Sequence, residues 1–183
     1  LYMVNDMAEK QPNTRFEESG GGLYKIKGGI GHSDWSADGM QPHLADKMLE
    51  YLDENKDSDK PFFLYMALTA PHIPLFPSKE FKGKSKIGDY GDLVMMIDDI
   101  VGRVNRKLKE IGKYDNTIVM FAADNGCAGY INMDRINRKG HYPSYIYRGY
   151  KSHGWEGGHR IPFILSWGDR YGHVTDNSLV SLT

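Results

Sequence analysis

The chain has 183 residues, a mass of 20.8 kDa and a formal net charge of −1, with 23 Lys plus Arg against 24 Asp plus Glu. That length fits one domain or part of one, and the near-neutral balance excludes the global field that draws in polyanions, so no nucleic-acid partner is expected. A 40% hydrophobic fraction argues against disorder, the single cysteine excludes an intramolecular disulfide and a cysteine-based zinc cluster, and no apolar run is long enough for a membrane span.

The first residues, Leu1-Tyr2-Met3-Val4, carry neither an initiator Met nor a secretion-signal pattern, as in a cytosolic protein or a partial record. Glycines 20–22, 28, 29, 31 and 39, set among polar residues, predict loop with turns and short irregular strands up to position 40. From Pro42 to Asn55, Leu44, Met48, Leu49 and Leu52 fall on one helical face. Pro61-Phe62-Phe63-Leu64-Tyr65-Met66-Ala67-Leu68 reads as a strand buried on both faces, running into Ala70-Pro71-His72-Ile73-Pro74. Leu93, Ile97, Ile100, Val101, Val104, Leu108 and Ile111 give the strongest helical periodicity of the chain, over Asp92–Ile111. Asp98-Asp99 on that helix reads as a solvated face with Asp99 reaching Arg103, because adjacent helical residues point about 100° apart. A second buried strand, Thr117–Ala123, ends at Asp124-Asn125-Gly126, and a third, Ile161–Trp167, follows a long polar and aromatic loop. This succession predicts an α/β architecture with a parallel or mostly parallel sheet covered by helices.

In open α/β sheets, ligands bind beyond the carboxyl ends of strands, where His72 and Asp124-Asn125 fall. A carboxylate beside a carboxamide supplies hard oxygens suited to Ca²⁺ or Mg²⁺, although Asp-Asn-Gly is also common turn chemistry. His72, held between prolines, suits proton transfer or anion contact, while a lone His is also often structural. The stretch from Arg148 to Arg160 interleaves cations, aromatics and glycines, which suits a small anion; the competing reading is a packed loop with Trp155 in the core and Glu156 paired to Arg160. Histidines 141, 153 and 159 do not form a His-Glu-x-x-His zinc pattern.

Taken together, Pro61–Tyr65 leading to Ala70–Pro74, Tyr90-Gly91-Asp92 opening a helix with Ile97–Gly102, Ala123–Gly126, and Lys151 followed by Trp155–Pro162 resemble the type I sulfatases. These are formylglycine-dependent, calcium-binding hydrolases with an alkaline-phosphatase-like α/β fold, a sheet with helices on both faces. The match runs from about Gln41 onward, and Gly140–Tyr145 with Arg148–Lys151 look like the bacterial arylsulfatase-like branch. The resemblance implies part of a sulfatase catalytic domain over 1–183, with an irregular Gly-rich segment at 1–40 and core elements at 41–183. It implies that Asp124 and Asn125 are two ligands of one Ca²⁺, that His72 contacts sulfate and helps the alcohol depart, and that Lys151 binds sulfate oxygens. Arg148, His141 and His153 are candidates for further substrate contacts, while Glu156 and Arg160 are left structural. The implied substrate is a small sulfated molecule, an aryl sulfate or sulfated sugar, and the implied location is periplasmic or secreted.

The sequence also departs from that family. Cys127 lacks the Pro or Ala two residues on and the Arg four on that mark a formylglycine precursor, Ser144 has Arg148 but Ile146 in the small-residue position, and the early Asp-Asp pair and Lys-Trp-His-Leu-Gly element are absent. The nucleophile and remaining calcium ligands are therefore expected upstream, and the 183 residues alone are expected to be inactive. Two alternatives stay open: a metal-dependent phosphatase or phosphodiesterase of the same superfamily, and a non-catalytic module holding a sulfated glycan on the aromatic loop Tyr142–Trp155.

Overall fold

The periodic apolar residues of the middle of the chain wind into two helices that form the centre of the molecule. The computed structural model describes residues 1–181; Leu182 and Thr183, the end of the expected 1–183 segment, lie outside the described residues. Helix α1 spans Met40–Glu54 and helix α2 spans Asp89–Glu110. Helix α2 buries Leu93, Met96, Ile97, Ile100, Val104 and Leu108, nearly the stripe that the spacing predicts, and α1 meets it with Ala45 and Leu52. Each large side chain so buried contributes about 1.5–3 kcal/mol. Two ion pairs cross the seam, Arg103 to Asp46 at 2.6 Å and Lys107 to Asp53 at 3.3 Å, and with their carboxylates largely exposed they fix orientation more than they stabilise. Arg103 is thus taken by α1, and Asp99 pairs instead with Arg106 at 3.6 Å, in place of the Asp99–Arg103 contact expected within one turn.

Segment 61–68 is extended but pairs with no strand among the described residues, so its expected burial on both faces does not hold. Phe62, Leu64, Met66 and Leu68 pack on the helices, whereas Phe63 and Tyr65 are 90% and 80% exposed. The period-2 alternation of extended backbone gives the helices one face only. Strand β5 (Ile118–Ala122) and strand β6 (Phe163–Trp167) pair antiparallel, from Ile118↔Trp167 to Ala122↔Phe163, which corrects the expected parallel arrangement at this edge. A parallel neighbour needs a crossover to the far end of the first strand. Here the connection, with the short helices α3 (Met133–Asn137) and α4 (Glu156–His159), is hydrogen-bonded back onto the residues just past β5, so β6 starts beside Ala122. The Gly-rich N-terminal stretch is mostly irregular, but β3 (Thr14–Phe16) and β4 (Gly29–Gly31) form a short antiparallel pair after a smaller one of β1 (Met3–Val4) and β2 (Met7–Ala8).

The first turn of α2 is held by Asp92, which has 0% exposure and accepts hydrogen bonds from the backbone N–H of Gly83 (2.8 Å) and Ser85 (2.6 Å). A carboxylate here also meets the positive end of the helix dipole, and Asp89 beside it bonds Tyr24 and Lys82. Asp92→Ala leaves two donors without partners, and urea denaturation is expected to show a loss of about 2–4 kcal/mol, against about 0.5 kcal/mol or less for Asp99→Ala at the exposed pair.

Candidate functional site

Two extended segments leave the helical platform and end in polar turns. After Leu68 the chain turns through Ala70–Pro71 and Ile73–Pro74, both cis, and presents His72 between them, exposed. The His72 Nδ1 lies 2.7 Å from the carbonyl of Ile73. A carbonyl only accepts, so Nδ1 carries hydrogen and Nε2 is left for a ligand. The Tyr130 ring stands edge-on to the imidazole at 6.0 Å.

Past β5, Asp124 is exposed and no ion pair among the described residues involves it. Asn125 donates from Nδ2 to the carbonyl of Gly126 at 3.0 Å, which fixes the amide and leaves its Oδ1 available. The chain then runs against the loop that follows α3. Gly126 N–H bonds Gly158 O at 2.9 Å, Lys151 N–H bonds Cys127 O at 2.8 Å, and Gly157 N–H bonds Arg148 O at 2.9 Å. A Cβ on Gly126 would lie 2.0 Å from the Gly157 carbonyl oxygen, and one on Gly157 would lie 2.2 Å from that of Gly149. Three passes of chain therefore meet backbone to backbone, and this brings Lys151, 26 positions after Asn125, to the end of β5. Lys151 is half-buried and has no ion pair among the described residues.

His72, Asp124, Asn125 and Lys151 line one cleft of about 1160 Å³, walled by α2 on one side and by Val119, Phe121 and Ile164 on the other. Arg148, His141 and His153, the further candidates for substrate contacts, are not among the residues that line it. The Arg148 guanidinium lies 3.9 Å over the Trp155 ring, His153 stacks 4.1 Å from Tyr150, and His141 is exposed just beyond α3. Trp155 is 50% exposed, not in the core, while the Glu156–Arg160 pair forms at 3.1 Å as expected. The Arg160 guanidinium also covers Tyr147 at 4.7 Å and reaches the cleft wall, a role its spacing from Glu156 does not reveal.

Cys127 also lines the cleft, with its Sγ donating to the Tyr90 hydroxyl at 3.3 Å. Burial pushes its thiol above the usual 9.0, and the same burial, with the Cys127 contact, raises Tyr90. This is the reverse of an activated thiol. Among the described residues no group of three or more His, Cys, Asp or Glu could hold a metal ion. Asp124 and Asn125 still fit a hard cation as a partial donor set, since both are oxygens free of other strong partners and Ca²⁺ takes six to eight.

Residues 5–183 match the family described as Sulfatase. The chain is 35% identical over 136 residues to N-acetylgalactosamine-6-O-sulfatase of Bacteroides thetaiotaomicron, covering 73% of this chain and 26% of that protein. It is 33% identical to human steryl-sulfatase, covering 72% and 22%. A solved structure from work on glycosaminoglycan metabolism in Bacteroides thetaiotaomicron superposes with a TM-score of 0.69 at 34% identity, over 77% of this chain and 30% of that one. A sulfatase structure from Pseudoalteromonas sp. gives 0.60 at 33%, over 71% and 25%. The chain thus spans about a quarter of the length of these curated relatives. Its mixed helix and sheet make up part of the alkaline-phosphatase-like fold of these structures.

Gly126→Ala places a methyl against a carbonyl, so a drop in Tm and disorder of the 148–158 loop by hydrogen exchange are expected, whereas Gly154→Ala, with open space around it, should leave both unchanged. Because the folded thiol and phenol at Cys127 and Tyr90 hold their protons more tightly than in the unfolded chain, their stabilisation is complete below pH 9 and is lost as pH rises through their raised values. Cys127 is expected to react slowly with iodoacetamide at pH 8, and a rate equal to that of free cysteine would contradict the burial.

Proposed function

The chain belongs to the sulfatase family, and from that premise we propose that it supplies part of an active site that hydrolyses a small sulfate ester to alcohol and sulfate. The observation that supports this reading is the convergence of His72, Asp124, Asn125 and Lys151 on one cleft from three separate stretches of chain. A sulfate ester keeps a negative charge through the reaction, so attack at sulfur needs cations beside its oxygens and a proton for the departing alkoxide.

Lys151 meets the first need. The Lys151 residue is half-buried and has no carboxylate partner among the described residues, so it is a cation whose field an anion can take up, and the backbone bond to Cys127 holds its Cα against the end of β5. His72 meets the second. With Nδ1 committed to Ile73, Nε2 faces a ligand, and when protonated it donates to a sulfate oxygen or to the leaving oxygen. Asp124 and the carbonyl oxygen of Asn125 would hold Ca²⁺, which when bound would supply further positive charge beside the sulfate; additional ligands complete its sphere. The nucleophile we assign to a formylglycine outside residues 1–183, since neither Cys127 nor Ser144 stands in the full precursor pattern of a Pro or Ala two residues on and an Arg four on. No helix among the described residues is long and apolar enough to cross a membrane. A periplasmic or secreted location is part of the proposal.

In the enzyme that contains this chain, Lys151→Ala is expected to lower kcat/KM for 4-nitrophenyl sulfate by about 10²–10³-fold, in line with loss of one charge-stabilising donor. Asp124→Ala should weaken Ca²⁺ binding measured by calorimetry. If Lys151→Ala turns over the ester at the wild-type rate, the assignment fails.

A further inference from the structure

The cleft that Lys151 lines is also lined by a turn that the chemistry above does not use. Pro143, Ser144, Tyr145 and Tyr147 all line the cleft. Two successive turns shape this run, with Tyr145 N–H bonded to Tyr142 O at 2.8 Å and Tyr147 N–H to Ser144 O at 2.9 Å. Tyr145 adopts φ +50°, a left-handed conformation that a bulky aromatic rarely takes. Sparsely populated backbone conformations of this kind collect at ligand sites, where the surrounding structure holds them. The result is an aromatic side chain that stays 69% exposed although it belongs to a cleft wall.

The two tyrosines of the turn are not equivalent. Tyr147 has its face covered by the Arg160 guanidinium at 4.7 Å, and Arg160 is in turn held by Glu156 at 3.1 Å. Tyr145 meets Tyr147 through an edge contact, at 5.9 Å and 69°, and no ring or cation among the described residues stacks on the flat face of its own ring. Beside it the Ser144 hydroxyl is buried with no hydrogen-bond partner among the described residues. A buried hydroxyl without a partner costs free energy unless a ligand supplies one. The cleft therefore offers an apolar ring face, a hydroxyl that needs a partner and, at Lys151, an ammonium with no ion pair among the described residues.

We propose that Tyr145 and Ser144 form a subsite for the sugar ring of a sulfated saccharide, with Tyr145 as the residue that selects a pyranose over other alcohols. The proposal rests on the sulfate-binding reading of Lys151 and deepens it. A pyranose has a C–H face that stacks on an aromatic ring, hydroxyls that satisfy Ser144, and a sulfate for Lys151. A simple aryl sulfate brings the flat face and the sulfate but no ring hydroxyl. A sterol sulfate brings a long aliphatic body, for which an exposed tyrosine beside a lone hydroxyl gives poor cover.

Calorimetric titration with galactose 6-sulfate, 4-nitrophenyl sulfate and inorganic sulfate tests it. Tyr145→Asn keeps a residue at ease with positive φ, so the turn survives while the ring is lost. This variant is expected to bind galactose 6-sulfate about 10-fold more weakly and inorganic sulfate within about twofold of wild type, and Tyr145→Phe should restore the sugar affinity. Ser144→Ala should weaken galactose 6-sulfate more than 4-nitrophenyl sulfate. An equal loss for sugar and inorganic sulfate in Tyr145→Asn, or no loss for the sugar, overturns the subsite. Lys151→Ala reports on the underlying reading by itself: if inorganic sulfate binding is unchanged in that variant, the anion site is wrong whatever Tyr145 does.

Discussion

Backbone contact at the end of β5 is the constraint on which the rest of the site depends. Lys151 lines the same cleft as Asp124 and Asn125 because the turn Asp124–Gly126 and the loop 148–158 touch without intervening side chains. Neither Gly126 nor Gly157 leaves room for a Cβ, so any other residue there separates the passes and withdraws Lys151. The same contact decides the direction of β6, which must start where the loop has been fastened, and so sets the cleft wall that carries Ile164.

Behind this contact lies the helical pair, whose role is support. Helix α2 puts an unbroken apolar stripe against α1 and against one face of segment 61–68, and Asp92 ties its first turn to the backbone of residues 83 and 85. The charges on the outside of this platform are paired, Arg103 with Asp46 and Lys107 with Asp53. Arg160 on the cleft wall is likewise held by Glu156, but Asp124 and Lys151 line the cleft without ion-pair partners among the described residues. Paired charges at the surface stabilise modestly, whereas unpaired charges on a cleft wall persist at a cost that a charged ligand can offset. That division separates scaffold from site.

Burial divides the remaining chemistry in the cleft. The thiol of Cys127 bonds to Tyr90 and is half-buried, so it acts as packing, while His72 is exposed with one ring nitrogen fixed by a carbonyl. Arg148 and His153, polar residues of the same loop, are spent on Trp155 and Tyr150. Their rings and cations shape the loop that carries Lys151, and the aromatic density of 142–155 is divided between this internal packing and the exposed face of Tyr145.

Some of this was legible in residues alone. Periodicity determined α2 and its buried stripe, because a 3.6-residue repeat has one way to bury itself, and the apolar runs ending in His72 and Asp124-Asn125 marked the places where polar groups meet a cleft. The Glu156–Arg160 pair followed from spacing on one helical turn. Contacts between distant positions were decided by tertiary structure. Sequence could not show that Arg103 prefers Asp46 on α1 to Asp99 on its own helix, or that Phe63 and Tyr65 would face outward. Nor could it show that β6 runs against β5, or that Arg148 lies on Trp155 while Tyr145 is held open at positive φ. Local pattern fixes which face of an element is apolar; which element that face meets, and which polar groups are left without partners, depends on how remote segments close on one another.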